Sequence, residues 1–493
     1  MESESLDPAH RAPGEVTFHA LDEEIPSEEM TMGRLLAITL PNFSTQSVWA
    51  ILQVFGTPYL KTLGFTDAQT ALVWLSGPVA GLLAQPTFGV LSDHCTSRWG
   101  KRMPFICKGA AAVIANMTTL AWAAELANAV LWLFGVGYGG AAAGHTARLI
   151  AGLSVLFICI GMQALQVGLR SLPVDLCPTH QQGQASLWSS RFAGLGAVFA
   201  GVLGAYGSTD FRFFAAVTSV LLALATLASW LILDHHSPAA KEATDRRDMS
   251  VLFVLGYLKN ALSNLPPVTR RTCETQLFSW FAWFSILHYT STYISQTHMA
   301  HRTLYHAGTI SPEAAQRSGN QGGLVFSIVG VMTNFAIPKV LRAFFGKDDG
   351  PGSAASTATL LRLWQLSLVL LACCMFGTLF ATSSGPATVV IGLAGVSWAM
   401  CTWIPFALIT AELSLIQASQ ANGGDVDIRL DMLDQTGTVL GIHNIAITLP
   451  QVIAAFASTT VFGIAQVFGA RESVVYAFQL AGLAASIAAW KCA

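Results

Sequence analysis

The sequence predicts an all-α membrane protein in which twelve transmembrane helices form two six-helix bundles. Three observations carry that prediction. Of 493 residues, 53% are hydrophobic and 11% charged, with a mean hydropathy of +0.53. A soluble domain is about 25% charged, so most of this chain belongs in lipid. Apolar runs of about 20 residues, the length a helix needs to cross roughly 30 Å of hydrocarbon, recur twelve times. They lie near 34–56, 70–92, 104–126, 147–169, 187–206, 213–233, 273–295, 322–344, 359–382, 386–412, 435–463 and 472–490. A polar stretch, DHHSPAAKEATDRRDMS, follows the sixth run and leaves six on each side. Because the runs are continuous rather than alternating, helices and not a closed barrel satisfy the backbone.

Four regions follow in order. Residues 1–33 read as a disordered cytosolic tail: nine acids fall in the first 32 residues, and no basic segment precedes a short apolar core, which excludes a signal or transit peptide. Residues 34–233 form the first bundle, 234–272 a cytosolic linker and 273–493 the second bundle. With the N-terminus inside, 20 of the 26 Lys and Arg residues fall in the tails, loops and adjoining span ends on that side, so both termini are expected in the cytosol. The nine cysteines lie mostly within or beside the spans without CxxC spacing, which predicts no structural disulfide and no metal. No cofactor and no nucleic-acid partner is expected. GAAAGHTARLIAGL and AGLAASIAAW read as close-packing helix surfaces, and Pro41, Pro78, Pro86, Pro405 and Pro450 as bends within spans.

The most informative loop is GVLSDHCTSRWGKR, residues 89–102. In an N-inside chain the second span ends at Ser92, which puts Asp93, Arg98, Lys101 and Arg102 in the tight cytosolic turn before the third. The bases would satisfy the orientation rule by themselves. The spacing G-x-x-x-D followed by R-x-G-K-R resembles the signature loop of the major facilitator superfamily, whose members place two six-helix bundles around a mid-membrane site. The resemblance implies that Asp93, Arg98, Lys101 and Arg102 latch the two halves together. A carboxylate is favoured at a helix N-terminus, and a charge pair remade on each swing is a two-state device. Asp175, separated from Arg170 by Pro173, is assigned to the same latch.

TPYLKTLGF, WLSGPVAGLLAQPTFGVLSDHCTSRWGKRMPFI, QALQVGLRSLPVDLCPTHQQGQA, QLFSWFAWF, WIPFALITAEL and LGIHNIAITLPQ together resemble the sucrose transporter family, of the glycoside-pentoside-hexuronide:cation symporter type. LCPTHQQ and LGIHNIAI resemble its fungal members. The resemblance implies transport of sucrose or a related α-glucoside by alternating access, coupled to protons, in the plasma membrane or the vacuolar membrane. Partners would be a small sugar, protons and the bilayer. A sugar uniporter and a non-transporting sensor on the same fold remain alternatives. An enzyme is not expected, since no HExxH and no pair of aspartates within the apolar runs is present.

Arg170, in GLRSLPVDL, is the first candidate for the site. A charge within a span is costly unless it faces a cavity or a partner, and the position matches the family's arginine. The family's acids are replaced: Cys159 stands eleven residues before Arg170, and Thr290, Ser291 and Thr292 stand where plant relatives have an Asp-Thr-Asp triplet. Neither Cys nor Thr can become a carboxylate. Glu274, His288 and Glu412 are the proton-coupling candidates that remain.

Sugar binding needs flat apolar faces for the C–H side of the ring and fixed polar groups for its hydroxyls. Asn42, Gln46, Trp49 and Gln53 recur at four, three and four residues, so they share one face of the first span. Gln276, Trp280 and Trp283 share a face of the seventh span, which holds the equivalent position in the second half, and Thr290 and Ser291 add hydroxyls. Asn444, with Gln451 seven residues on, is a further candidate. Tryptophans near span ends also form interfacial belts, so this stripe has an alternative reading.

Overall fold

The computed structural model describes residues 29–135, 139–206, 210–233, 251–305, 311–345, 357–421, 436–469 and 474–493. Residues 1–28, most of the expected tail, and 234–250, the polar part of the linker, lie outside the described residues. The helices follow the predicted runs. Span 1 covers Met32–Thr62, span 2 Asp67–Trp74 and Ser76–Asp93, span 3 Met103–Ala121 with a continuation at Ala123–Leu133, and span 4 Gly140–Leu176. Spans 5 and 6 are Gln182–Tyr206 and Phe211–Ile232. A linker helix, Val251–Ser263, precedes span 7 at Pro267–Tyr305, span 8 at Pro312–Phe345 and span 9 at Thr357–Gly377. Spans 10 to 12 are Ser384–Ala421, Thr436–Val467 and Val474–Cys492. Span 7 thus begins inside the stretch read as linker.

Among the described residues, nine helices are long and apolar enough to cross a membrane. The other three predicted spans are span 2, which is broken at Leu75, and spans 7 and 8, in which Gln276, Gln316, Asn320 and many hydroxyls dilute the apolar content. The break in span 2 has a local cause. Pro78 lacks the N–H that would bond the Trp74 carbonyl, and its ring crowds that carbonyl. Span 1 is re-started at Pro41 and carries a π turn at Leu52–Gly56. That turn lies where Trp74 crosses: a Cβ on Gly56 would come within 2.6 Å of the indole, whose Nε1 donates to Thr57 Oγ1 at 2.8 Å.

Two apolar cores make two bundles. Leu35, Ile106, Met117, Ile158 and Phe214 belong to the first, and Trp283, Trp364, Trp403 and Phe478 to the second. A small third core, with Val174, Ala261, Leu265, Ile409, Leu413 and Leu440, joins the bundles beside the linker helix. The bundles touch through spans 2 and 11, spans 5 and 8, spans 5 and 10, and span 4 against spans 10 and 11. The membrane face bearing residues 94–102 and the linker helix is called the linker side below.

Candidate functional site

Arg170 is where four spans converge. Its Nη1 donates to Asn444 Oδ1 of span 11 at 3.1 Å, across 274 residues of sequence. Its guanidinium also sits 4.8 Å over the Phe406 ring of span 10. Asn444 Nδ2 in turn donates to the Gly81 carbonyl of span 2 at 2.9 Å. The His443 ring stands edge-on to Phe406, with centroids 5.0 Å apart. Arg170 and Phe406 are partly accessible, while Asn444 and His443 are buried. Among the described residues no carboxylate pairs with Arg170: an amide oxygen and an aromatic face hold the charge, which leaves guanidinium donors for a polar ligand.

Toward the linker side, Asp93 ties the first bundle to the start of span 11. Its Oδ1 accepts from Gly437 N at 2.9 Å and from Arg102 Nη1 at 2.7 Å. Its Oδ2 accepts from Thr438 N at 2.7 Å and from Thr438 Oγ1 at 2.6 Å. The first amides of a helix have no partner within it, and the helix dipole favours an anion there. Arg102 completes the cluster: Nη1 donates to Ser92 Oγ at 2.7 Å and Nε to Asp175 Oδ2 at 2.6 Å. The Asp93 and Arg102 side chains are 1% and 4% exposed, so the pair is shielded from screening. Arg98 stacks over Trp99 at 5.8 Å and lies outside the buried cluster. Lys101 is partly accessible.

Glycines permit this approach. A Cβ on Gly89 would lie 2.3 Å from the Gly437 carbonyl oxygen, and one on Gly441 would lie 2.6 Å from Pro86 Cα. Gly89→Ala is therefore expected to hold spans 2 and 11 apart at a cost of about 1–3 kcal/mol. A lower melting temperature in detergent, with weakened Asp93 contacts, would register it; an unchanged melt would show that the seam yields.

A second contact between the bundles joins spans 5, 8 and 10. Ser190 Oγ lies 2.6 Å from Thr402 Oγ1 and accepts from Asn334 Nδ2 at 2.9 Å. Arg191 Nε donates to the Asn334 carbonyl at 3.2 Å, with the guanidinium against Trp188 and Phe335 at 4.5 and 4.9 Å. Arg191 was not among the sequence candidates. A lone arginine inside a span is the same signal that selects Arg170.

The other candidates are dispersed. Asn42 turns back to its own helix, Nδ2 donating to the Thr39 carbonyl at 2.9 Å. Gln46 and Trp49 are partly accessible and Gln53 is exposed. Cys159 and Trp49 both approach Gly77, each 4.0 Å from where a Cβ on that residue would stand. Trp280 and Trp283 meet Trp398 edge-on at 5.8 and 4.9 Å, and Gln276 and Trp283 are both 0% exposed, packed inside the second bundle. Glu274 pairs with Lys491 at 3.4 Å. Glu412 caps the start of span 7, accepting from the amides of Val268 and Thr269 at 2.9 and 2.7 Å and from Thr269 Oγ1 at 2.7 Å. His288 Nδ1 lies 3.0 Å from the Phe284 carbonyl of its own helix. Ser291 Oγ donates to Asn320 Oδ1 of span 8 at 3.1 Å.

No protein-family model matches the chain. It is 24% identical to the general alpha-glucoside permease of Schizosaccharomyces pombe, over 95% of this chain and 94% of that one. It is 24% identical to sucrose transport protein SUT5 of Oryza sativa subsp. indica, over 84% of this chain and 79% of that one. Sucrose transport protein SUC4 of Arabidopsis thaliana is 25% identical over 88% and 85%. Among solved structures, a bacterial homologue of the iron transporter ferroportin in an outward-facing state superposes with a TM-score of 0.62 at 13% identity, covering 94% of this chain and 98% of that one. The major facilitator proton:xylose symporter XylE gives 0.55 at 14% identity, covering 93% of each.

Proposed function

We propose that this chain, which has the major facilitator fold, is a member of the sucrose transporter family and carries sucrose or a related α-glucoside across a membrane by alternating access, coupled to protons. The observation that carries the reading is the Arg170–Asn444 bond, a bridge between the two bundles made by a donor that a sugar hydroxyl can compete for. The relatives' names support the substrate class, an α-glucoside or sucrose. Both termini are assigned to the cytosol, which makes the linker side cytosolic, with the plasma membrane preferred over the vacuolar membrane.

In this reading the structure is closed toward the cytosol, by Asp93 on the first amides of span 11 and by the glycine seam behind it. Sugar arriving from the opposite side engages the Arg170 guanidinium, with Gln46, Trp49 and Asn444 nearest in role, so that a bridge within the protein becomes a bridge through the ligand. The Asp93, Arg102 and Asp175 cluster then releases span 11, and the bundles rock about the centre. Arg98, exposed, and Lys101, partly accessible, flank that latch. Asn42, Gln53, Gln276, Trp280 and Trp283 are assigned supporting roles along the two equivalent spans, either at the sugar or in the packing behind it.

Uptake of labelled sucrose and maltose into liposomes holding the purified protein, with and without an inward proton gradient, tests the reading. Accumulation above equilibrium that collapses with the gradient supports proton-coupled transport. Equilibration indifferent to the gradient removes the coupling and leaves a uniporter, and the replacement of family acids by Cys159 and Thr290 to Thr292 would then account for it. Uptake of neither sugar overturns transport of this substrate class.

A further inference from the structure

We propose that His443 carries the coupled proton, and that the proton and the Arg170 guanidinium occupy the space beside Phe406 alternately, so that sugar which draws Arg170 away admits the proton. The proposal rests on the transport reading above and supplies the group which that reading leaves unassigned.

Coupling requires a titratable side chain whose occupancy depends on the state of the sugar site. The three sequence candidates are engaged elsewhere: Glu274 with Lys491, Glu412 with the first amides of span 7, and His288 with a carbonyl of its own helix. His443 differs from all three. It is 0% exposed, and neither ring nitrogen has a hydrogen-bond partner among the described residues. Leaving a buried polar group unsatisfied is costly, so a bare imidazole in a tight seam calls for a reason. It is the chain neighbour of Asn444, which holds Arg170, and it shares the Phe406 ring with that guanidinium.

Charge supplies the logic. An imidazolium and a guanidinium on the same ring would place two like charges in a dry contact, where Coulomb energies are several-fold larger than in water. Arg170 is also the partly accessible member of the pair, whereas His443 is buried. Several ionisable groups near span 11 are engaged elsewhere, Asp175 of span 4 with Arg102 and Glu274 of span 7 with Lys491. Asp93 of span 2 holds Gly437 and Thr438, Glu412 of span 10 holds span 7, and Tyr289 of span 7 packs edge-on against Phe462 at 5.1 Å. Lys259 of the linker helix is exposed, and Lys491 of span 12 pairs with Glu274. Arg170 is the charge that shares the Phe406 ring with His443.

The step is balanced as proton transfer alone. One ring nitrogen lone pair takes a proton from water on the side where sugar enters. The bundles switch, and the proton leaves to cytosolic water when Arg170 returns to Asn444. By linkage, sugar then tightens proton binding by the factor by which the proton tightens sugar binding.

The test uses the full chain in liposomes with an internal pH dye, and reads gradient-driven accumulation of labelled sucrose or maltose, sugar-evoked proton flux and sugar counterflow. His443→Gln, which keeps polarity and cannot carry the proton, is expected to lose accumulation and to lower proton flux at least about tenfold while counterflow survives. Accumulation by this variant, or wild-type transport indifferent to the gradient, overturns the proposal. Wild-type protein that moves neither sugar overturns the transport reading itself. Glu274→Gln, His288→Gln and Glu412→Gln keep the question decidable if His443→Gln does not insert. Each should still accumulate sugar, and loss of accumulation with counterflow intact in any of them assigns the proton there and overturns the proposal.

Discussion

Arg170→Ala is expected to lower sugar uptake at least about 100-fold, equivalent to about 2.7 kcal/mol at 1.36 kcal/mol per decade. A hydrogen bond to a charged group contributes about 1.5–3 kcal/mol, so one lost contact to a bound sugar accounts for most of that. The chain should still fold and insert. Arg170 makes no ion pair among the described residues whose loss would strand a buried carboxylate, and Asn444 keeps its bond to the Gly81 carbonyl. Arg170→Lys retains the charge without the planar fork and is expected to fall between wild type and Ala. Uptake assays at matched surface expression decide the matter, and retention of most uptake by Arg170→Ala would remove the residue from the site.

Asp93→Asn should open the linker side. In the wild type each carboxylate oxygen accepts at least two bonds, two of them from amides at the start of span 11. An asparagine turns one of those acceptors into a donor that faces other donors, either the Thr438 amide or the Arg102 guanidinium. The bonds to Gly437 and Thr438 cross between bundles, so their loss weighs on the closed form. Removing a helix-capping side chain costs about 0.5–2 kcal/mol. At the upper end, this shifts the ratio of closed to open forms by roughly 30-fold. Distances between spin labels at the linker-side ends of spans 2 and 11 should lengthen, with transport slowed. An unchanged distance distribution would mean that Asp93 caps a helix without governing the swing. Loss of the negative charge also leaves Arg102 with Asp175 as its remaining carboxylate partner, 26% exposed on its side chain, so a drop in thermal stability should accompany the opening.

Much of this architecture is legible from local pattern. Apolar runs of spanning length must become helices in lipid because the backbone has no other partner there, and the described spans follow the predicted ones. Arg170 stands out because a charge within a span is rare. The same rule should have selected Arg191, which is buried between Trp188 and Phe335. Helical spacing serves the site less well. The face shared by Gln276, Trp280 and Trp283 is real, but spacing does not say what a face meets, and the structure packs Trp283 against Trp398 and Phe326 within its own bundle. Gln46 and Trp49, read from the same kind of stripe, remain partly accessible.

The sequence by itself determined the membrane-spanning class, the order of the helices, the charged 89–102 loop and the arginine at the end of the fourth apolar run. Each follows from composition or from contacts a few residues apart. Only the tertiary structure decided what those residues meet. Arg170 finds Asn444 274 positions away, Asp93 finds Thr438 345 positions away, and Glu412 turns out to cap span 7. Hydropathy is a property of a segment and helix spacing a property of a face. Which face meets which is settled by close packing between bundles, where Gly81, Gly89 and Gly437 let backbones approach and leave His443 enclosed beside the arginine.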